Sequence, residues 1–344
     1  VHNGQVTQVN SNHELETQGA FNMNQTYTKV VLILLLAAGL TVSAVAQPTA
    51  NPGKLERLTA RTSTGPVNVV TTTNFITDLV EQIGGKNIKV TGLMGPGVDP
   101  HLYKATAGDV RALQRAELVF YGGLDLEGKM VELLERIPRA IAVTERIPRE
   151  QLRKPGTFMP SSMRVDPHVW FNVKLWSQTI GVVRDALSKL DPVNASMYAA
   201  RATAYSKRLE QLESFVRRET ARVPKAQRVL VTAHDAFGYF GDAYGFEVRG
   251  VQGMSTVSEA GARDVQALAE FLVSRKIRAV FVESSVPKRT VEAVVAAAQA
   301  KGWNVRVGGS LFSDAAGQRG TPEGTYVGMV EANVKTIVTA LLGE

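Results

Sequence analysis

Three histidines carry the chemistry this chain could do, and each sits in a turn-like setting. They are His101 in Asp99-Pro100-His101-Leu102-Tyr103, His168 in Asp166-Pro167-His168-Val169-Trp170, and His234 in Thr232-Ala233-His234-Asp235. The chain has only five histidines, and the other two, His2 and His13, precede an export-signal pattern. Imidazole is the commonest side-chain ligand for first-row divalent metals. In the two Asp-Pro-His motifs the proline restricts the backbone, and the aspartate is free to cap the turn or orient the ring. Taken singly, a histidine in a turn is more often a surface or capping residue, and Asp-Pro is a common turn pair without chemistry. Three such histidines, with none elsewhere after the export signal, point to a shared metal site.

A fourth ligand should be a carboxylate on another loop. Asp314 in Leu311-Phe312-Ser313-Asp314-Ala315 is the first candidate, and Glu283, ending the run Ala279–Glu283, is its rival. Steps of 67, 66 and 80 residues separate His101, His168, His234 and Asp314. Ligands so far apart must be gathered by tertiary structure, so metal loss should loosen whatever they join.

Other chemistries find less support. His-Glu-x-x-His and Gly-x-Ser-x-Gly are absent. Gly122-Gly123-Leu124-Asp125-Leu126-Glu127 lacks the Lys-Ser/Thr ending of a phosphate loop and the dinucleotide glycine spacing. Glu283-Ser284-Ser285 has no histidine near it in sequence, so a nucleophile there is unsupported. The chain has no cysteine, which excludes disulfides, thiolate metal sites and lipid attachment through a cysteine. Trp170, Trp176 and Trp303 read as core or cleft wall.

The elements that must position these residues alternate. Strand patterns at Val67–Thr71, Lys89–Leu93, Leu118–Tyr121 and Ala140–Thr144 are separated by helical ones at Ile76–Ile83, Ala107–Arg115 and Glu127–Glu135. A helix over Val173–Leu190 follows, ended by Asp191-Pro192, and then an uninterrupted amphipathic stretch from Asn194 to about Val223. At 1.5 Å per residue that stretch would span roughly 45 Å, enough for a rigid connector. The alternation then resumes, with strands at Arg228–Thr232, Phe246–Val251, Ala279–Glu283 and Val305–Gly308. Helices are expected at Phe237–Tyr244, Ala262–Arg275, Thr290–Lys301 and Tyr326–Leu342. The fold class is therefore α/β: two lobes, each a mainly parallel sheet flanked by helices, joined by one long connector helix. The expected division is an N-terminal lobe over residues 66–190, a connector over 191–224 and a C-terminal lobe over 225–344. In open α/β sheets ligands collect outside the carboxyl ends of the strands, where His101, His234 and the carboxylate candidates fall.

Residues 1–46 read as an upstream extension followed by a signal peptide. From Met23 there is a short basic region with Lys29, an apolar run from Val30 to Leu40, and Ala44-Val45-Ala46, so cleavage is expected after Ala46. The apolar run is short for a membrane span of ~20 residues. Residues 47–65, rich in Pro, Thr and Gly, are expected to be a flexible approach. About 298 residues then remain, with 38 basic against 30 acidic side chains, a net charge of +8. The basic residues are scattered over helix faces, which argues against nucleic acid as a partner.

These motifs together resemble the cluster A-I substrate-binding proteins of metal ABC transporters. The resemblance runs from about Val67 to Leu342. It is carried by Val98-Asp-Pro-His-Leu-Tyr103, Phe120-Tyr-Gly-Gly-Leu-Asp-Leu-Glu127 and Asp166-Pro-His-Val-Trp170, and then by Thr232-Ala-His-Asp-Ala-Phe-Gly-Tyr-Phe240. Gly253-Met-Ser-Thr-Val-Ser-Glu259, Phe281-Val-Glu-Ser-Ser285 and Leu311-Phe-Ser-Asp314 complete it, in the family's order. The resemblance implies His101, His168, His234 and Asp314 as ligands, which leaves Glu283 as a strand-end residue near the cleft. Manganese-directed members often have Glu at the place of His234, and zinc-committed members often carry a His-rich loop after the first ligand. This chain has His234, and Lys104-Ala-Thr-Ala-Gly108 where that loop would be, like the TroA-like members.

The implied function is periplasmic capture of one Zn2+ or Mn2+ per chain, as cargo, by a monomer that delivers it to an inner-membrane permease and its ATPase. Three imidazoles and a carboxylate favour zinc, while a carboxylate binding through both oxygens would admit manganese. The competing reading is a zinc-dependent hydrolase using the same four residues. It would need an open coordination position and a general base, and no base stands out. Surface adhesion, known for some family members, is a third reading that the missing lipid-anchor cysteine disfavours.

Overall fold

The computed structural model describes residues 53–154 and 165–344; the expected leader and its cleavage site lie outside them. The Val-rich run Val67–Thr71 (β1) is a buried central strand. Around it pair β2 (Ile88–Gly92), β3 (Leu118–Tyr121) and β4 (Ala140–Ala142), all parallel, in the order β2-β1-β3-β4. The intervening helices are α1 (Asn74–Gly84), α2 (Ala107–Arg115) and α3 (Val131–Arg136). Next come α4 (Val173–Trp176), α5 (Thr179–Leu190) and the connector α6 (Ala195–Ala221).

The second lobe is built from β5 (Val229–His234), α7 (Gly238–Tyr244), β6 (Glu247–Gln252) and α8 (Ala262–Ser274). It continues with β7 (Ala279–Glu283), α9 (Arg289–Ala300), β8 (Arg306–Leu311) and α10 (Tyr326–Leu342). Its strands form two parallel ladders, β5–β6 and β7–β8, with β5 lying beside β7.

The connector has a physical logic that its sequence shows. Its buried residues are Tyr198, Ala202, Tyr205, Leu209, Leu212, Val216 and Thr220, at steps of three and four, so one narrow face is apolar. That face packs on α1, α4 and α5 of the first lobe and on α10 of the second. The largest apolar cluster runs through both lobes, joining Phe75, Trp170 and Trp176 to Phe237, Phe281 and Tyr326. Burying one such Phe or Leu stabilises by about 1.5–3 kcal/mol. A wide hinge that parted this core would therefore cost far more than a small tilt.

Four local differences from the sequence reading have identifiable causes. The helix expected from Glu127 starts at Val131, because Leu124 and Asp125 adopt positive φ and the Glu127 carboxylate accepts from the Gly122 and Gly123 amides. The helix expected over Val173–Leu190 is broken into α4 and α5, where Ser177 and Thr179 hydroxyls donate to the Lys174 and Trp176 carbonyls. Strand β5 runs on to His234, paired with Gln252. Residues 53–65 have no helix or strand yet are fastened to the first lobe: Leu55 is fully buried, and the Arg61 amide donates to the Leu190 carbonyl at 2.9 Å.

Candidate metal centre

The strands deliver their carboxyl ends to one place. His101 lies on the loop after β2, His234 is the last residue of β5, and Asp314 follows β8 by three residues. His168 enters from the turn before Val169–Phe171, a single 3-10 turn. All four side chains are buried, at 0–1% exposure. One donor atom from each lies within 4.8 Å of every other. The structure thus brings together all four residues that the sequence singled out.

Their spacing suits a cation. His101 Nε2 and His168 Nε2 are 3.4 Å apart, His168 Nε2 and Asp314 Oδ1 3.4 Å, and His234 Nε2 and Asp314 Oδ2 3.3 Å. His101 Nε2 is 3.9 Å from Asp314 Oδ2. Four donors held tetrahedrally about 2.0–2.1 Å from a metal would stand roughly 3.3–3.4 Å from one another. His234 Nε2 and both Asp314 oxygens are buried without a hydrogen bond, an expensive arrangement unless something else satisfies them. Asp314 turns both oxygens inward, one toward His168 and the other toward His234 and His101.

Two imidazoles are aimed by carboxylates behind them. Asp166 Oδ1 accepts from the His168 amide at 3.0 Å and lies 2.8 Å from His168 Nδ1, so one aspartate both closes the turn and orients the ring. Glu283 does the same for His234: Oε1 accepts its amide at 2.8 Å, and Oε2 stands 2.5 Å from Nδ1. Carboxylates in this position fix the tautomer and raise ligand basicity. Glu283 therefore backs a candidate ligand, as the resemblance implied. Asp99 closes the His101 turn, accepting from the His101 amide at 2.8 Å. Beyond it, Tyr103 donates to Asp109, which also closes the capping box with Thr106 at the start of α2. Trp170 packs against the His168 ring with centroids 5.2 Å apart, and its indole N–H donates to the Ser313 carbonyl beside Asp314.

The electrostatics follow from burial and these carboxylates. Burial pushes the His101 imidazole down to about 3, with Asp314 offsetting part of the effect. Burial alone would also lower His168, but Asp166, hydrogen-bonded to its Nδ1, and the nearby Asp314 carboxylate raise it to about 9. His234 is likewise lifted well above the ordinary imidazole range: burial opposes this, and the charges of Glu283 and Asp314 outweigh it. Asp314 is held well below the usual carboxylate range, its burial overcome by His234 and His168. Asp166, Glu283 and Asp314 thus favour the charged form of two buried imidazoles, and a divalent cation can take the place of their protons.

Sequence similarity assigns the arrangement to a family. A profile described as ZnuA, zinc-uptake complex component A, periplasmic, matches residues 69–340. The chain belongs to this family. Among its ZnuA-family relatives, the zinc-binding protein TroA of Treponema pallidum is 51% identical over 276 residues, covering 79% of this chain and 88% of TroA. The manganese-binding lipoprotein MntA of Bacillus subtilis is 48% identical over 278 residues, 80% of this chain and 90% of MntA. The solved structure of the periplasmic zinc-binding protein TroA superposes with a TM-score of 0.77, covering 80% of this chain and 99% of that one.

Sequence reasoning missed Thr256, which donates to Asp99 from the opposite lobe at 2.5 Å. It lies within the Gly253–Glu259 motif, and a lone threonine gives no sign in sequence of what it will meet across a cleft.

Proposed function

We propose that this protein is the periplasmic substrate-binding component of a metal ABC transporter, with Zn2+ or Mn2+ as its cargo. The observation that carries the reading is the convergence of three imidazoles and a carboxylate, fully buried, with three of their spacings, 3.3–3.4 Å, matching the edges of a metal's tetrahedral shell. His101, His168, His234 and Asp314 are the ligands in this reading. Three nitrogens favour zinc, and the two inward oxygens of Asp314 leave room for a five-coordinate manganese. Relatives of nearly equal identity are named for each of the two metals, which supports keeping both.

The protein binds without turning over. Four protein ligands would fill a tetrahedral shell, whereas a catalytic zinc keeps a position open for water. Release follows from the two-lobed plan, because His101 and His168 come from the first lobe and His234 and Asp314 from the second. A small tilt withdraws two ligands together, and the permease and its ATPase supply the occasion for it. The leader pattern from Met23 to Ala46 supports export to the periplasm, and the protein acts as a monomer with one ion per chain.

Titration calorimetry of protein stripped of metal tests the reading. One ion of zinc or manganese per chain, abolished in both His168→Ala and Asp314→Ala, is the expected result. Binding that survives in both variants would place the cargo elsewhere.

A further inference from the structure

One hydrogen bond joins the two rims of the cleft above the metal centre. Thr256 Oγ1, on the loop between β6 and α8, donates to Asp99 Oδ2 at 2.5 Å. The other oxygen of Asp99 holds the His101 amide at 2.8 Å. A side chain of the second lobe thereby acts, through Asp99, on the turn that presents the first candidate ligand.

The contact is built rather than incidental. The loop has no helix or strand around Thr256, yet Met254, Ser255 and Thr256 are buried while the next residue, Val257, is 56% exposed. The same turn of the first lobe meets the second lobe again at Gly97. That residue has a φ of +70°, and a Cβ there would come 3.3 Å from the Ser284 carbonyl. The four candidate ligands are at most 1% exposed, so an ion held by them leaves only if part of this rim moves.

We propose that Thr256 is a positioning residue for the bound metal: through Asp99 it closes the rim over His101 and sets the rate at which the ion escapes. The proposal rests on the reading of His101, His168, His234 and Asp314 as ligands. Hydrogen bonds to a charged group are worth about 1.5–3 kcal/mol, or roughly tenfold to a hundredfold in a rate or equilibrium constant. Losing the hydroxyl frees a surface loop and leaves the Asp99 bond to the His101 amide in place. The effect should therefore fall on dissociation, with little change in association.

The test is release of zinc from the loaded protein into excess chelator, followed by stopped flow, for wild type, Thr256→Val and Thr256→Ser. Release from Thr256→Val should be faster by about tenfold or more, with association changed by less than about threefold. Thr256→Ser, which keeps the hydroxyl, should restore the slow rate. The metal-free thermal midpoint of Thr256→Val should fall by no more than the loss of this one hydrogen bond accounts for, and Thr256→Ser should restore it. The split between faster release and unchanged association is what a merely structural role would not give. A Thr256→Val release rate within about twofold of wild type, or no rescue by Thr256→Ser, overturns the proposal. If zinc binds stoichiometrically, such a result sinks the rim contact alone. Wild-type protein that takes up no stoichiometric zinc sinks the ligand reading and the rim contact together.

Discussion

Glu283 grips His234 at two points, its Oε1 on the backbone amide at 2.8 Å and its Oε2 beside the ring Nδ1 at 2.5 Å. The residue that a sequence reader could mistake for a ligand instead holds a candidate one. Glu283→Gln keeps the size of the side chain and removes its charge. Metal affinity should fall roughly tenfold to a hundredfold, the usual cost of losing such a partner, with the fold intact. Titration calorimetry beside circular dichroism would check this, and an unchanged affinity would count against a role for Glu283 in orienting the ring.

Acidification should weaken binding, and the direction can be worked out from the imidazoles. A metal ligand must be unprotonated, while His168 is raised to about 9 and His234 stands well above its ordinary value. Protons therefore compete with the ion throughout the neutral range, and affinity should climb as pH rises through it. The contribution of His168 to the stability of the metal-free fold should run the opposite way. A raised His168 stabilises the fold fully below its unfolded value of about 6.5, and that contribution fades as pH rises through about 9. Calorimetry in buffers of different ionisation enthalpy should show protons released on metal binding at pH 7. No proton release would contradict the protonated state of these imidazoles.

Gly250 in β6 lies directly under His234. A Cβ there would fall 2.4 Å from the Asp235 amide nitrogen and 2.6 Å from the His234 carbonyl carbon, both backbone atoms that cannot swing away. Gly250→Ala should destabilise the metal-free protein by about 1–3 kcal/mol, the range for overpacking, and weaken metal binding by displacing His234. Urea unfolding paired with metal titration would detect both effects.

Metal should also act as a staple between the lobes. At a free concentration a thousand times its Kd, an ion that binds only the native state adds about 4.1 kcal/mol of stability. Wild-type protein should lose this increment when chelator is added, whereas Asp314→Ala should melt at one temperature with or without zinc. Differential scanning calorimetry would separate the two cases.

Much of this was legible in the sequence because the site is marked by residue types used sparingly. Three histidines in turn-rich settings can be picked out by eye, and the strand–helix alternation placed His101 and His234 at the carboxyl ends of strands. The one-face periodicity from Tyr198 to Thr220 likewise announced the connector. What stayed hidden depended on partners distant in the chain. No local pattern shows that Glu127 folds back on the Gly122 and Gly123 amides and delays α3, or that Ser177 and Thr179 interrupt a helix. Asp314 ranks ahead of Glu283 as the fourth ligand on sequence, and only the resemblance settles the choice between them. The reach of Thr256 to Asp99 spans 157 residues and carries no periodic or compositional signal.

The central claim is one buried centre of His101, His168, His234 and Asp314 that holds one divalent cation. Its most direct test is metal content by mass spectrometry after stripped protein is offered equimolar zinc and manganese, with His234→Ala alongside. One equivalent of metal in the wild type, mostly zinc and lost in the variant, is the predicted result. No stoichiometric metal in the wild type, or the same content in His234→Ala, would contradict the account.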